Sequence, residues 1–133
     1  MTPNEYQELA MLTASPALID GPDNVSVTGM LNAVIGLSAE AGEIADIIKK
    51  IEFHHHPFDD ELKEKLTLEI GDACWYVAMC CERLASHVPG FSLEIAMEKN
   101  ILKLQARYPN RFKTQDSLAR VDVQHESGSA TPF

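Results

Sequence analysis

Cysteine is scarce in this chain of 133 residues, and its 3 cysteines form no C-x-x-C pair. A disulfide framework or a paired-cysteine metal motif is therefore not expected. Cys74, Cys80 and Cys81 lie inside a strongly apolar run, which is typical of buried, reduced thiols. The pattern indicates a protein of a reducing compartment.

Long apolar runs and nucleotide-binding loops are also missing. No run approaches the roughly 20 residues of a membrane-spanning helix, and the polar, acidic N-terminus does not resemble a signal peptide. We therefore expect a cytoplasmic protein with no membrane partner. Neither G-x-x-x-x-G-K-[ST] nor G-x-G-x-x-G occurs, which excludes P-loop ATPases and Rossmann enzymes.

The chain has few basic residues. It contains 11 Lys and Arg and 20 Asp and Glu, which gives a formal net charge of −9. Such a surface repels phosphate backbones, so we expect no nucleic acid polymer as a partner. Acidic balance alone usually indicates only solubility. It becomes informative where carboxylates cluster on one face, because a cluster needs cations.

Helical periodicity dominates what is present. Apolar residues recur every three or four positions in the longest segments, and we find no convincing strand. The predicted helices span about residues 4–13, 28–53, 59–87 and 92–108. We therefore predict an all-α domain over residues 1–112, built as a four-helix bundle. A polar C-terminal tail over 113–133 follows, and we expect 124–131 to be mobile.

Two apolar stripes define the predicted core. The stripe on the second helix consists of Met30, Val34, Leu37, Ala41, Ile44, Ile48 and Ile51, and that on the third of Leu62, Leu66, Ile70, Ala73 and Val77. Residues 73–81 of the third helix are apolar all round, and such a helix is buried on every side. In so small a domain this predicts a partner subunit, and hence a homo-oligomer.

Two acidic pairs share one spacing. Glu40 and Glu43 lie midway along the second helix, and Glu69 and Asp72 lie in the first half of the third. A separation of three residues places both side chains of a pair on one helix face. The short connection near Pro57 predicts that the two helices pack antiparallel, with both pairs at about the same distance from the turn. Folding this hairpin therefore brings the four carboxylates to one height.

Four carboxylates in one half-buried place repel one another. Two unit charges ~5 Å apart cost roughly 3 kcal/mol at an effective dielectric constant of about 20, and several such pairs consume most of a small domain's stability. Divalent cations compensate this repulsion, and oxygen-only ligation selects Mg²⁺ or Mn²⁺ over zinc. Gly42 and Gly71, inside the two pairs, predict a close approach of the helices there. The alternative is a solvated acidic face. The metal site is favoured because the two acidic pairs lie at about the same distance from the turn.

A basic group lies on the fourth helix. The spacings of Asn100, Lys103 and Arg107, three and four residues, place them on one face. Next to metal ions these side chains suit the phosphates of a nucleotide. Lys65, one turn before Glu69, is a further candidate for the same phosphates. The alternative for these cations is an ordinary ion pair with neighbouring acidic residues.

These motifs resemble a known family. The segments Gly36–Asp46, Lys49–Lys50 and Glu69–Tyr76 are similar to the MazG-like all-α nucleoside triphosphate pyrophosphohydrolases, and Glu98–Pro109 resembles their last core helix. The likeness covers about residues 28–112, and its E-x-x-E…E-x-x-D pattern with a later K-x-x-x-R is specific in combination. The resemblance implies Mg²⁺-dependent cleavage between the α- and β-phosphates, which yields a monophosphate and pyrophosphate. It also implies dimers or dimers of dimers.

The resemblance implies roles for individual residues. The implied metal ligands are Glu40, Glu43, Glu69 and Asp72, with Mn²⁺ as a substitute for Mg²⁺. The implied phosphate and nucleotide contacts are Lys65, Asn100, Lys103 and Arg107. Ala39 departs from the pattern, since many relatives carry a further Glu there, and Arg111 stands where close relatives often have Gly. The loop over residues 15–27 matches no pattern, so base selectivity does not transfer from relatives.

The expected chemistry is in-line attack of water at the α-phosphorus, with Glu40 or Glu43 taking the proton. Two interpretations exist for Trp75 and Tyr76. One of these rings stacks on the base, or both belong to the core or to a subunit interface. Deoxynucleotides are the favoured substrates, and dGTP, dCTP and dUTP are all candidates. The rival hypotheses are an enzyme for another phosphoanhydride, such as phosphoribosyl-ATP, and a non-enzymatic helical interaction module. The module predicts that Glu69→Gln stabilises the fold and that Mg²⁺ has no effect.

Overall fold

The computed structural model describes residues 1–15 and 27–119, and these ranges are predominantly helical. The helices are α1 (Pro3–Met11), α2 (Val27–His54), α3 (Asp60–Ala85), α4 (Leu93–Arg107) and α5 (Thr114–Ala119). Over the described ranges no strand forms, and Pro109 and Arg111 make an isolated bridge. The predicted all-α class is confirmed. None of the described helices is long and apolar enough to cross a membrane.

The four predicted helices agree with α1 to α4 within two residues at either end. The fifth helix, α5, departs from the prediction, because it lies in the segment predicted as a polar tail. The stretch predicted to be mobile, 124–131, lies outside the described residues, as do residues 16–26 of the unmatched loop. The predicted boundary between a domain and a tail at residue 112 stays a prediction.

Local sequence explains where two helices begin. At α1 the hydroxyl of Thr2 accepts a hydrogen bond from the backbone N–H of Glu5, and the Glu5 carboxylate accepts one from the N–H of Thr2. Pro3 fits the first turn, where its missing N–H costs nothing. At α3 the Asp59 carboxylate accepts from the N–H of Leu62 at 3.0 Å. These caps fix the N-terminal ends of α1 and α3.

The chain divides into two compact units, Met1–Leu93 and Glu94–Phe133. In the first unit α2 packs along α3, and α1 packs on α3 as well. Gly36 faces Tyr76 near the start of α2, and Glu43 meets Glu69 nearer the connecting turn. The earlier residue of α2 thus faces the later residue of α3, so the two helices run in opposite directions. This confirms the predicted antiparallel hairpin.

The core of the first unit is small. Its fully buried apolar side chains are Ala33, Ile47, Ala78 and Met79. Ala14 joins Ala33 and Met79 in one cluster, so the chain just after α1 reaches the α2–α3 contact. Trp75 packs on the edge of this cluster. The position of α1 is therefore set by burial as well as by hydrogen bonds.

The predicted apolar stripes do not form this core. On α2, Val34 and Ile48 are 53% and 47% exposed, and on α3 Ile70 is 49% exposed. The buried apolar side chains of α2 are Ala33 and Ile47 instead. The reason is that α2 is apolar on more than one side and turns towards α3 the side that carries small residues and carboxylates. Of the twelve residues in the two predicted stripes, five are exposed in the single chain and the other seven are half-buried.

The all-round apolar segment over residues 73–81 is also not buried on every side. Cys74 is exposed and Val77 is 37% exposed, whereas Met79 and Cys81 are buried. The prediction of a buried thiol is therefore wrong for Cys74, because its side of α3 is not covered in the single chain. The three cysteines are free thiols.

Candidate metal centre and substrate cavity

Three carboxylates meet between α2 and α3. Glu40 and Glu43 come from α2 and Glu69 from α3, and one carboxylate oxygen of each lies within 4.8 Å of the others. The spacing of three residues puts the two α2 side chains on one face. The antiparallel register then places Glu69 opposite them. The structure thus brings together three of the four acidic residues predicted as metal ligands.

Asp72, the fourth predicted ligand, lies one turn further along α3. It is not a member of the group of three oxygens, but it lines a cavity together with Glu40. Its charge also acts on the Glu40 carboxyl group. Asp72 is therefore adjacent to the cluster, on its cavity side.

The cluster is electrostatically strained. Burial raises the pKa of Glu40, and the negative charges of Glu43, Asp72 and Glu69 raise this pKa further. Glu69 is only 9% exposed. None of the ion pairs found within the described part of the chain involves these four side chains. The like charges are thus arranged so that a bound cation relieves their repulsion.

A hard divalent cation fits this set of donors. Mg²⁺ takes oxygen ligands at about 2.0–2.1 Å, so ligands on opposite sides of the ion lie roughly 4.2 Å apart. The oxygens of Glu40, Glu43 and Glu69, within 4.8 Å of one another, need only small side-chain rotations to enclose such an ion. Carboxylate oxygens alone favour Mg²⁺ or Mn²⁺ over zinc.

The lysines that follow on α2 are bound to a different carboxylate. Asp46 contacts both Lys49 and Lys50, with the Lys50 Nζ 2.6 Å from the Asp46 Oδ2. Hydrogen bonds from these two ammonium groups lower the pKa of Asp46 from 3.8 to about 2. This ion-pair group is half exposed and separate from the acidic cluster.

A cavity of about 350 Å³ opens beside the carboxylates. Its walls combine the acidic groups of Glu40 and Asp72 with Thr13 and the aromatic rings of Trp75 and Tyr76. This volume is at the small end of the range for ligand sites. The carboxylates of the cavity therefore suit a ligand group that carries a bound cation. Its aromatic rings suit a planar ligand group.

Hydrogen bonds hold the aromatic wall in place. The Nε1 of Trp75 donates to the Ala10 carbonyl at 3.1 Å and to the Thr13 hydroxyl at 2.8 Å. The ring of Tyr76 meets the indole edge to face, with centroids 5.0 Å apart and an interplanar angle of 86°. Both aromatic side chains are half-buried and line the cavity, and Trp75 also packs on the core cluster.

Gly36 determines where the Tyr76 ring lies, because a Cβ atom at this position would overlap the ring. The close approach predicted at Gly42 and Gly71 is wrong, since a Cβ at either position has no neighbour within 4 Å. The carboxylates of Glu40, Glu43 and Glu69 meet near that level. The tight contact of α2 and α3 lies instead at the aromatic end of the cavity.

Of the other predicted substrate contacts, one lines a different cavity and three lie in the second compact unit. Lys65 lines a second cavity of about 170 Å³ near the α2–α3 turn, together with His56. Asn100, Lys103 and Arg107 lie on α4, in the second unit, with Asn100 and Lys103 exposed. Their contacts with a substrate stay a prediction.

Two residues that shape the cavity were not predicted from the sequence. Gly36 is one of several glycines within predicted helices, and only packing distinguishes it from Gly42. Thr13 lies in the turn that follows α1, where no motif marks it. A hydroxyl that bonds a side chain 62 positions away has no local sequence signal.

Known proteins resemble the part of the chain that contains most of α2 together with α3 and α4. A family model described as the MazG nucleotide pyrophosphohydrolase domain matches residues 30–112, more than half of the chain. The Gene 37 protein of Mycobacterium phage L5 is 35% identical over 83 residues, which is 62% of this chain and 68% of that protein. No solved structure gives a significant match. The matched region contains the acidic cluster, and α1 with Thr13 precedes it.

Proposed function

The chain belongs to the MazG nucleotide pyrophosphohydrolase family, and from this premise we propose that it hydrolyses nucleoside triphosphates to a monophosphate and pyrophosphate. The preferred substrates are deoxynucleotides, with dGTP, dCTP and dUTP as the candidates, and the metal is Mg²⁺, which Mn²⁺ replaces. The observation that carries this proposal is the meeting of Glu40, Glu43 and Glu69 within 4.8 Å.

The acidic residues are proposed to have different roles according to their positions. Glu40, Glu43 and Glu69 would hold the metal, with Asp72 as the fourth proposed ligand. When bound, the divalent ion neutralises the triphosphate and acidifies a water molecule. Glu40 lines the cavity and is our first choice as the general base, with Glu43 as the alternative. The water oxygen bonds to the α-phosphorus, the bond to the α–β bridging oxygen breaks, and pyrophosphate leaves.

We propose five residues as contacts of the substrate. Trp75 lines the cavity and is proposed to contact the base. Lys103 and Arg107 on α4 are proposed to bind the phosphates, with Asn100 as a nucleotide contact on the same helix. Lys65, one turn before the acidic pair of α3, is a further proposed phosphate contact.

We also propose that the protein is a homo-oligomer, a dimer or a dimer of dimers. The support is the uncovered apolar surface of α2 and α3, where Val34, Ile48 and Ile70 are each about half exposed. The free thiols and the nucleotide substrate suit the cytoplasm. The net charge of −9 argues against a nucleic acid polymer as a partner.

A pyrophosphate-release assay across all canonical ribo- and deoxynucleoside triphosphates, with Mg²⁺ and Mn²⁺ separately, tests this function. We expect release from at least one deoxynucleotide, dependent on the metal and absent with EDTA. Including phosphoribosyl-ATP separates the related anhydride hydrolase. A helical interaction module releases no pyrophosphate from any of these compounds, and that result would reject the proposal.

A further inference from the structure

We propose that Thr13 is a positioning residue for base recognition, and that α1 is therefore the element of this chain that selects the nucleobase. The inference deepens the proposed function and rests on it, because the base belongs to the nucleotide substrate. Thr13 lies two residues after the end of α1, and α1 together with residues 12–15 is called the α1 segment below. This segment precedes the region matched by the family model.

The hydroxyl of Thr13 links α1 to the aromatic wall of the cavity. It accepts a hydrogen bond from the Nε1 of Trp75 at 2.8 Å and donates one to the Ala10 carbonyl at 2.7 Å. The same indole N–H also reaches the Ala10 carbonyl, at 3.1 Å. The Trp75 ring is thus tied at its polar edge to two consecutive turns of the α1 segment.

The α1 segment is itself firmly held. Gln7 is 7% exposed, donates to the Glu82 carboxylate at 2.8 Å and accepts from the backbone N–H of Leu93 at 2.7 Å. Ala10 is 8% exposed and Ala14 is 9% exposed. Because its buried residues flank Thr13, the end of α1 provides a fixed support for the indole.

The composition of the cavity assigns this end to the base. Glu40 and Asp72 occupy the part of the wall that suits a metal-bound triphosphate, which leaves Thr13, Trp75 and Tyr76 for the rest of the nucleotide. Aromatic rings are suited to contact with a planar base. A ring held in one orientation discriminates between bases of different shape better than a ring that rotates, because a misplaced base loses its contact.

The test is a comparison of kcat/KM across the deoxynucleoside triphosphates for wild type, Thr13→Val and Thr13→Ser. For each variant we divide kcat/KM for the best nucleotide by kcat/KM for the worst. We expect Thr13→Val to reduce this ratio by about three- to tenfold, the usual effect of one hydrogen bond. Thr13→Ser, which keeps the hydroxyl, restores the ratio. On 2-deoxyribose 5-triphosphate, which has no base, wild type and Thr13→Val should agree within about twofold, since the phosphate end is untouched.

Thr67→Val is the matched control. Thr67 is exposed on α3, and its hydroxyl donates to the Lys63 carbonyl one turn earlier. The same chemical change at Thr67 should leave the kcat/KM ratio between bases at the wild-type value. Trp75 is the only tryptophan, so its emission reports the site directly. We expect Thr13→Val, but not Thr67→Val, to shift the emission maximum.

The outcomes separate the two proposals. If Thr13→Val keeps the wild-type base ratios, or if wild type turns over the base-free triphosphate as well as its best nucleotide, the inference is overturned and the proposed function stands. If wild type releases no pyrophosphate from any nucleotide, the proposed function is overturned and this inference with it.

Discussion

The ring of Tyr76 occupies the space that a side chain at Gly36 would need. This contact joins α2 to α3 at the aromatic end of the cavity, and it fixes one of the cavity's walls. The two glycines that lie inside the acidic pairs, Gly42 and Gly71, make no such contact. Glycine therefore has a packing role at one position and not at the other two.

The first prediction follows from this difference. Gly36→Ala should lower the free energy of unfolding by about 1–3 kcal/mol, because the added methyl group forces Tyr76 or the backbone of α2 to move. It should also reduce turnover, since Tyr76 lines the cavity. Urea unfolding and pyrophosphate release measure the two effects.

Gly42→Ala is the control for Gly36→Ala. It makes the same change in the same helix, but an added Cβ has no neighbour within 4 Å. The higher helix propensity of alanine should raise the free energy of unfolding by roughly 0.5–1 kcal/mol. A loss of stability at Gly42 as large as that at Gly36 would contradict this account of the α2–α3 contact.

The helices of this chain were predictable because their causes are local. Helical periodicity and caps such as Asp59 depend on neighbours within a few residues. The buried face of α2 was not predictable in the same way, because α2 has apolar residues on several sides. Which side turns inward depends on the pairing with α3, and that pairing favours Ala33 and Ile47 over Val34 and Ile48.

The second prediction concerns metal binding. Mg²⁺ should raise the melting temperature of wild type, with a gain of about 2.7 kcal/mol at a concentration 100 times the dissociation constant. Glu69→Gln should lose most of this gain, since Glu69 is one of the three residues whose oxygens meet. Differential scanning fluorimetry with and without EDTA measures the gain.

The stability of Glu69→Gln without metal does not distinguish an enzyme from an interaction module. Glu69 is 9% exposed and close to two other carboxylates, so its neutralisation should stabilise the metal-free fold in either case. Only the response to Mg²⁺ separates the two. A wild-type melting temperature that does not move with Mg²⁺ or Mn²⁺ would count against the metal site.

The third prediction is a pH dependence of the metal-free protein. Burial and the neighbouring carboxylates raise the pKa of Glu40 above 4.5, so the folded chain binds this proton more tightly than the unfolded chain does. The free energy of unfolding should therefore increase as the pH falls through the raised pKa and level off below 4.5. Urea unfolding in EDTA at a series of pH values measures it, and Glu40→Gln should flatten the curve.

Asp46 titrates in a different range, which keeps the Glu40 signal separate. The pKa of Asp46 falls from 3.8 to about 2, so its contribution is present above pH 3.8 and disappears only as the pH drops towards 2. A stability that falls continuously from neutral pH to pH 4.5 in the metal-free protein would contradict the assignment to Glu40.

The candidate site was predictable in part. The repeated spacing of its acidic residues identified Glu40, Glu43 and Glu69, because i,i+3 pairs on two helices of a hairpin meet whenever their distances from the turn agree. The cavity's aromatic end could not be predicted. Thr13 reaches it through the docking of α1 on α3, a long-range contact that composition and periodicity do not determine.

The fourth prediction tests the phosphate contacts proposed on α4. Lys103→Ala should reduce kcat/KM for nucleoside triphosphates by about tenfold or more, the usual effect of a hydrogen bond to a charged group. Lys113→Ala removes an exposed lysine that follows α4 and should leave kcat/KM unchanged. Equal effects of the two variants would point to general electrostatic attraction of the substrate and remove Lys103 from the site.

The fifth prediction concerns the acidic residue next to the group of three. Asp72→Asn should abolish pyrophosphate release and leave the circular dichroism spectrum unchanged, because Asp72 is exposed and lines the cavity with Glu40. Asp46→Asn makes the same change on α2, where it removes ion pairs with Lys49 and Lys50. Such pairs contribute at most about 1 kcal/mol at an exposed site, so this control should retain turnover. Normal turnover by Asp72→Asn would leave Glu40, Glu43 and Glu69 as the whole acidic site.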